Sequence, residues 1–417
     1  MARTGRQGGE ASPARPKAPR GWVRRQWDRV ESTDAAGIRT AYYLTIICTT
    51  ILTCLGMVMV LSSSAVEFVS KNNDPYALFA KQAGFGLVGL LLMVGIAALP
   101  TRTLKRLAWP ALLGALVLLV LVLIIGKDIL GNKNWLVFGP ISIQPSEFAK
   151  LALILWSATV LTAKRRVLKD WKQAIIPVLL PVGLVMIGLV LLGHDLGTAM
   201  VLILILFVVL WCSGAPMRIF AVAGIGAVVG VLILALTNGN RLGRITSWLG
   251  MGGDDSQGVG MQALQGRYAL ASGGWFGVGL GQSRLKWSYV PEAQNDFILS
   301  IIGEELGLLG TLLIVVLFLV LAVSMYRIAY RSRSLFVRIA TGGVIAWIIG
   351  QAFLNMGMVT GLLPVIGVPL PFISYGGSAL LASLLGIGLV LNFGRDQIRH
   401  GLPAADEEAE TQLGRKQ

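Results

Sequence analysis

Apolar residues along this chain gather into long runs instead of alternating with polar ones. Ten runs stand out, at roughly 39–62, 80–99, 107–126, 146–163, 174–192, 196–213, 218–237, 297–325, 335–358 and 375–394. At about 18 to 25 residues, such a run is long enough to cross a ~30 Å hydrocarbon core as a helix. The pattern predicts an all-α fold: a polytopic integral membrane protein with ten transmembrane helices. Residues 1–36, rich in Pro, Gly and Arg, are expected to form a largely disordered tail, 37–396 the membrane domain, and 397–417 a second polar tail. The connection 238–296, between the seventh and eighth helices, is far longer than a turn needs, and loops beyond ~15 residues are usually functional or disordered. It holds Trp248, Tyr268, Trp275, Trp287 and Tyr289 among glycines. It is expected to be a large extracellular loop that folds back on the membrane surface as short amphipathic or re-entrant pieces.

Composition agrees with this reading. The 417 residues are 55% hydrophobic and 14% charged, with a mean hydropathy of +0.71. The net charge of +15 raises the question of nucleic acid. Its distribution answers differently. Arg102, Lys105 and Arg106, then Lys164, Arg165, Arg166, Lys169 and Lys172, then Arg218, then Arg327, Arg331, Arg333 and Arg338 all fall in even-numbered connections, and the tails are basic too. By the positive-inside rule, those connections and both termini are cytoplasmic. The charge then reports orientation, and no nucleic acid is expected. Cys48, Cys54 and Cys212 lie in apolar runs without CxxC spacing and read as small packing residues. With only His194 and His400, no histidine metal site is visible. No short apolar segment near the start reads as a cleavable signal.

The odd-numbered connections, outside by the same argument, carry the unusual residues. They are GNKNWLVFGPISIQPSEFAK (131–150), GHDLGTAM (193–200), the end of the long loop with VPEAQNDFILSIIGEELG (290–307), and GLLPVIGVPLPFISYGGSALL (361–381). Four polar or broken segments at one membrane face suggest a shared cavity open to the outside, since irregular backbone at that depth survives only against protein or water. Ionisable residues there are functional candidates. Plainer roles stand beside each. Pro145 and Glu147 suit a helix start. Glu147 and Lys150, three apart, can pair on one face. Asp195 can be a helix N-cap, with His194 a polar turn residue. Ser374, Gly376, Gly377 and Ser378 can be a tight helix entry or an anion cradle of free N–H groups. Glu304 and Glu305 read as buried structural polar contacts, whereas Asp296 sits where an outer substrate can reach it. The glycines of WFGVGLGQS read as a flexible surface turn.

The segment GRYALASGGWFGVGLGQSRLKWSYVPEAQNDFILSIIGEELGLLG resembles the signature loop and eighth span of the SEDS family, which includes FtsW and RodA. GPISIQPSEFAKLALILW, DLGTAMV and LPVIGVPLPFISYGGSALL resemble its other motifs in the same order, over roughly residues 41–395. VMVLSSSAVEF and SRLKWSYVPEA look like the family's division branch, NMGMVTGLLPVIGVPLP more like its elongation branch, and the division role is favoured. The resemblance implies a peptidoglycan glycosyltransferase that polymerises lipid II at the outer face of the bacterial cytoplasmic membrane, at the division septum. It works with a class B penicillin-binding protein and other divisome proteins. The family's proposed catalytic aspartate falls on Asp296. Gln294-Asn295 stand where the family often has His-Thr, and Gly193-His194 where Gln-Pro is usual.

That implied chemistry assigns roles. The acceptor is a neutral sugar hydroxyl, a poor nucleophile. Asp296 as general base takes its proton during attack, worth roughly 10²–10⁴-fold. Attack from the opposite face inverts the α-linked donor to a β-1,4 bond. The departing pyrophosphate needs charge stabilisation, for which Lys150, Arg241, Arg244 and Arg267 and the amides of Gly376, Gly377 and Ser378 are candidates. Glu147, Asp195, Lys286, Glu292 and Ser374 complete the expected substrate-binding set. The resemblance fixes no cofactor; a divalent cation (Mg or Mn) can share the charge, with no ligands assigned. The opposing class is a lipid-linked sugar flippase or ion-coupled carrier, against which the concentration of polar residues on one side argues.

Overall fold

A computed structural model describes residues 35–70, 76–129, 132–139, 141–165, 179–218, 259–283 and 295–400, with a few single positions between 220 and 248. In chain order the helices and strands are α1 (Ala35–Ser70), α2 (Ala77–Ala98), α3 (Thr101–Ile125), β1 (Lys127–Ile129), β2 (Asn132–Phe138), β3 (Ile141–Ile143), α4 (Pro145–Ala163), α5 (Leu184–Leu192), α6 (Leu196–Cys212), α7 (Val259–Ser272), α8 (Ile298–Arg331), α9 (Leu335–Val359) and α10 (Gly377–His400). Seven of these, α1 to α4 and α8 to α10, are long and apolar enough to cross a membrane. The fifth and sixth apolar runs form shorter helices. α5 is preceded by a π-helical turn, Leu179–Gly183, that contains Pro181, where the missing N–H disturbs the helical ladder. The seventh run falls mostly outside the described residues.

The all-α expectation is corrected by a small antiparallel sheet in the order β1-β2-β3. Lys127 pairs with Trp135, Leu136 with Ile143 and Phe138 with Ile141. Asn132 to Phe138 carry the alternation of a half-buried strand, with Asn134 and Leu136 turned inward. The sheet closes one end of the bundle. Lys133 donates through Nζ to the carbonyls of Leu123 (2.6 Å) and Ile124 (3.2 Å), satisfying the C-terminal turn of α3.

The share of each span buried within the protein separates centre from periphery. It is 78% for α10 and 72% for α9, against 22% for α2 and 28% for α3. α10 packs on α2 and α1, α9 on α6, α8 and α4, and α8 on α1 and α7. Apolar side chains have little hydrophobic reason to prefer each other over lipid, so close approach through small residues matters. A Cβ on Gly388 of α10 would crowd the Met93 backbone of α2 at 2.7 Å. At the other end, Asn392 Nδ2 donates to the Ile96 and Leu99 carbonyls (3.0 and 2.5 Å) and Arg395 Nη2 to that of Ala98 (2.8 Å), capping α2.

α8 is interrupted at Gly307 (φ 68°, ψ −166°). The chain following α7 repairs the break. Val278 and Gly279 N–H donate to the carbonyls of Glu304 (2.9 Å) and Glu305 (3.1 Å), and Leu308 and Leu309 N–H donate to those of Gly274 (2.9 Å) and Trp275 (3.2 Å). This approach needs glycine: a Cβ on Gly273 or Gly277 would overlap the carbonyls of Gly303 or Glu305. The described part of the long loop is therefore one helix packed on α8 and a glycine turn stitched across it, which pairs the Glu304 and Glu305 carbonyls and the Leu308 and Leu309 N–H groups at the break.

Candidate active site

The four unusual segments do meet at one end of the bundle. β2 reaches the α5–α6 turn through Lys133 N–H donating to the Gly193 carbonyl (3.1 Å). Gln144, just ahead of α4, donates through Nε2 to Asp195 Oδ2 (3.2 Å) and through its backbone N–H to Ser378 Oγ (3.3 Å). A Cβ on Gly197 would touch the Ile366 and Gly367 carbonyls at 3.1 Å, so α6 begins against the 361–376 segment. That segment in turn holds the start of α8. Ser374 Oγ donates to the Asn295 carbonyl (2.6 Å), and Asn355 Nδ2 donates to the Asp296 carbonyl (2.9 Å).

Asp296 is half-buried at this junction, in the bend that leads into α8. A Cβ placed on Gly367, which adopts φ +74°, would stand 3.4 Å from Asp296 Oδ2. A methyl group at 367 would therefore sit in van der Waals contact with the carboxylate. α7 flanks the same bend: a Cβ on Gly266 would meet Phe297 and Ser300, at 2.9 and 3.0 Å. Arg267, the next residue, is exposed and lies along the Gly361 backbone, whose carbonyl accepts from Trp248 Nε1 (2.9 Å).

Other expected site residues are engaged inside the protein. Lys150 and Glu147 are only 1% and 2% exposed and pair at 2.8 Å. Lys150 Nζ also donates to Gln351 Oε1 (2.8 Å) and lies 5.1 Å from the Trp347 ring centroid. Gln351 accepts from Trp347 Nε1 (3.1 Å) and donates to the Pro369 carbonyl (2.9 Å). Where a role at a departing pyrophosphate was expected, Lys150 has its ammonium engaged in an internal cluster beside the Pro369 backbone. Asp195 is the N-cap of α6, accepting from Thr198 N–H (2.8 Å) and Thr198 Oγ (2.7 Å). It lies in the turn ahead of the helix, where burial pushes its carboxyl above the ordinary range, against the lowering effect of the Thr198 bonds and the nearby Lys150 charge. At the expected anion cradle, the Gly376 N–H donates to Gln82 Oε1 (3.2 Å), while Gly377 is packed against the Phe85 ring. Glu304 and Glu305 are buried and accept from Ser283 Oγ (2.5 Å) and Ser62 Oγ (2.8 Å). Arg241, Arg244, Lys286 and Glu292 lie outside the described residues.

Gln82, Gln144, Gln351 and Asn355 are the residues that sequence reasoning passed over. Their signal was an uncharged amide within or beside an apolar run. Among the described residues there is no group of three or more His, Cys, Asp or Glu able to hold a metal ion.

A helical, multi-span membrane protein with a carboxylate set among four broken segments at one end is the class these features define. The family model described as "Cell cycle protein", for FtsW, RodA and SpoVE, matches residues 42–398, and the chain belongs to that family, the SEDS proteins. The probable peptidoglycan glycosyltransferase FtsW of Mycobacterium tuberculosis (strain ATCC 25618 / H37Rv) is 41% identical over 360 residues, covering 86% of this chain and 68% of that protein. Stage V sporulation protein E of Bacillus subtilis (strain 168) is 39% identical over 362 residues, or 84% and 96% of the two chains. A chain solved in work on structural coordination of polymerization and crosslinking by a peptidoglycan synthase complex superposes with a TM-score of 0.71 at 30% identity, covering 85% of this chain and 97% of that one. The rod shape determining protein RodA of Thermus thermophilus gives 0.62 at 31% identity, covering 84% and 96%.

Proposed function

We propose that this chain is a peptidoglycan glycosyltransferase of the division type, polymerising lipid II at the outer face of the cytoplasmic membrane with Asp296 as general base. The observation that carries the reading is the position of Asp296: a half-buried carboxylate at the meeting point of α8, α7 and the 361–376 segment, beside the bare backbone of Gly367. The names borne by the FtsW relatives support the activity. The apolar runs and the distribution of Lys and Arg support ten spans with both termini inside, which puts Asp296 outside. The solved synthase complex supports a crosslinking partner, a class B penicillin-binding protein.

In the reaction, the 4-hydroxyl of the acceptor sugar attacks C1 of the donor from the face opposite the pyrophosphate. The C1–O bond to pyrophosphate breaks as the new C1–O bond forms, and the hydroxyl proton passes to the Asp296 carboxylate. Pyrophosphate leaves without protonation, so one base suffices. Its charge needs cations that reach solvent, and Arg267 is the described candidate; Arg241 and Arg244 remain candidates from the sequence.

The test is polymerisation of fluorescent lipid II by the purified full chain with its crosslinking partner, parent against Asp296→Asn. The parent makes glycan strands, and the variant inserts and purifies normally but makes none. Undiminished polymer from the variant removes Asp296 from the role. Transbilayer movement of lipid II by the parent without polymer favours a carrier instead.

A further inference from the structure

Two consecutive backbone carbonyls, those of Asn295 and Asp296, are held from outside their own segment. Ser374 Oγ donates to the first (2.6 Å) while accepting from Leu370 N–H (2.8 Å). Asn355, with no exposed surface, donates to the second (2.9 Å) and to the Val368 carbonyl (2.7 Å). Both partners of Asn355 are carbonyl oxygens, so only its NH₂ end can face them; a flipped amide would set oxygen against oxygen. Its Oδ1 then has no hydrogen-bond partner among the described residues, a cost that buried polar atoms rarely carry. The two donated bonds must offset it.

These two bonds bridge the site. Asp296 has two side-chain torsions, so a fixed backbone leaves its carboxylate few positions. Val368 adjoins Gly367, the residue opposite Asp296 Oδ2. One amide therefore ties together the two backbone segments that meet at the carboxylate. Catalytic groups must be held to about 0.5 Å, and a displacement of about 1 Å can cost ~10²-fold in rate.

We infer that Asn355, with Ser374, is a positioning residue: it fixes the Asp296 carboxylate against the 366–370 backbone and so sets the slot in which the acceptor hydroxyl loses its proton. The inference rests on the reading of Asp296 as the base. For Ser374 it replaces the expected contact to substrate with a grip on the backbone beside the base.

The experiment measures kcat and KM for lipid II, with the thermal midpoint, for the full chain and its crosslinking partner. The near-isosteric Asn355→Leu lowers kcat by ~10²-fold while KM stays within about 3-fold, because ground-state binding is untouched. Ser374→Ala lowers kcat by about 10-fold, and Ser374→Thr, which keeps the hydroxyl, restores it. If Asn355→Leu fails to fold, the Ser374 pair decides. Parental kcat in Asn355→Leu and Ser374→Ala overturns the inference, as does a Ser374→Thr variant no better than Ser374→Ala, or a loss expressed in KM alone. Asp296→Asn, run alongside, separates the two claims. If it is silent while the positioning variants are fully active, only the positioning role fails. If it polymerises normally, the base assignment fails first.

Discussion

Removing the Lys150 charge tests whether the buried cluster is scaffold or substrate site. In Lys150→Met, Glu147 keeps its carboxylate at 2% exposure with its ion pair to Lys150 gone. Its Oε2 already has no partner among the described residues, so no second donor stands ready. Gln351 loses one of two donors to Oε1, and Trp347 loses the cation above its ring. Breaking a buried pair from one side costs about 3–5 kcal/mol, because the remaining charge is left uncompensated. The cation–π term, ~1–2 kcal/mol, overlaps with this figure and does not simply add. The double replacement Glu147→Gln with Lys150→Met leaves no charge behind and recovers most of the loss, to within about 1 kcal/mol of the parent. The assay is a thermal or SDS unfolding series in detergent on parent, single and double variants, with polymer formation per folded molecule measured at low temperature. Scaffold predicts an unstable but competent single variant and a stable, competent double variant. A single variant that unfolds with the parent yet makes no polymer would refute the reasoning and return Lys150 to the departing pyrophosphate.

Three further outcomes follow from the same contacts. Gly277→Ala places a side chain at φ +80° on the Glu305 carbonyl, and lowers the unfolding midpoint by the equivalent of about 1–3 kcal/mol; Gly84→Ala in α2, where a Cβ meets nothing within 4 Å, leaves it unchanged or slightly raised. Asp195→Ala removes the α6 cap and costs about 1 kcal/mol by the same unfolding assay. Burial raises the Asp195 carboxyl above its ordinary 3.8, so its contribution to stability is complete below about that pH and declines as pH rises through the raised value. The midpoint of the parent relative to Asp195→Asn therefore falls between acid and neutral pH.

Much of the architecture was legible because membrane burial writes itself as length. The runs that became α1 to α4 and α8 to α10 have the ~20 apolar residues that a membrane crossing needs, so length alone marked them. The meeting of the four motifs was legible from counting spans, since alternate connections share a face. What was hidden depends on contacts between distant residues. IGEELGLLGTLL reads as an unbroken helix, and only the turn at 273–279, supplying partners for the freed backbone groups, allows the break at Gly307. The strand Asn132–Phe138 is seven residues long and was masked by its polar start. Glu147 and Lys150 three apart permitted both a pair and a site; the pair, with Gln351 and Trp347 around the ammonium, is visible only in the fold. Asn355 is one amide in a helical run, and its meaning lies in the two carbonyls it reaches.

The central claim is that the Asp296 carboxylate takes a proton from a sugar hydroxyl. Its most direct measurement is the structure of the full chain with its crosslinking partner and a non-reactive lipid II analogue in the acceptor position. The account predicts the acceptor 4-hydroxyl oxygen within about 3 Å of an Asp296 carboxylate oxygen, or one water away. A disaccharide bound at the opposite end of the bundle, or bound with Asp296 walled off from every hydroxyl, would contradict it.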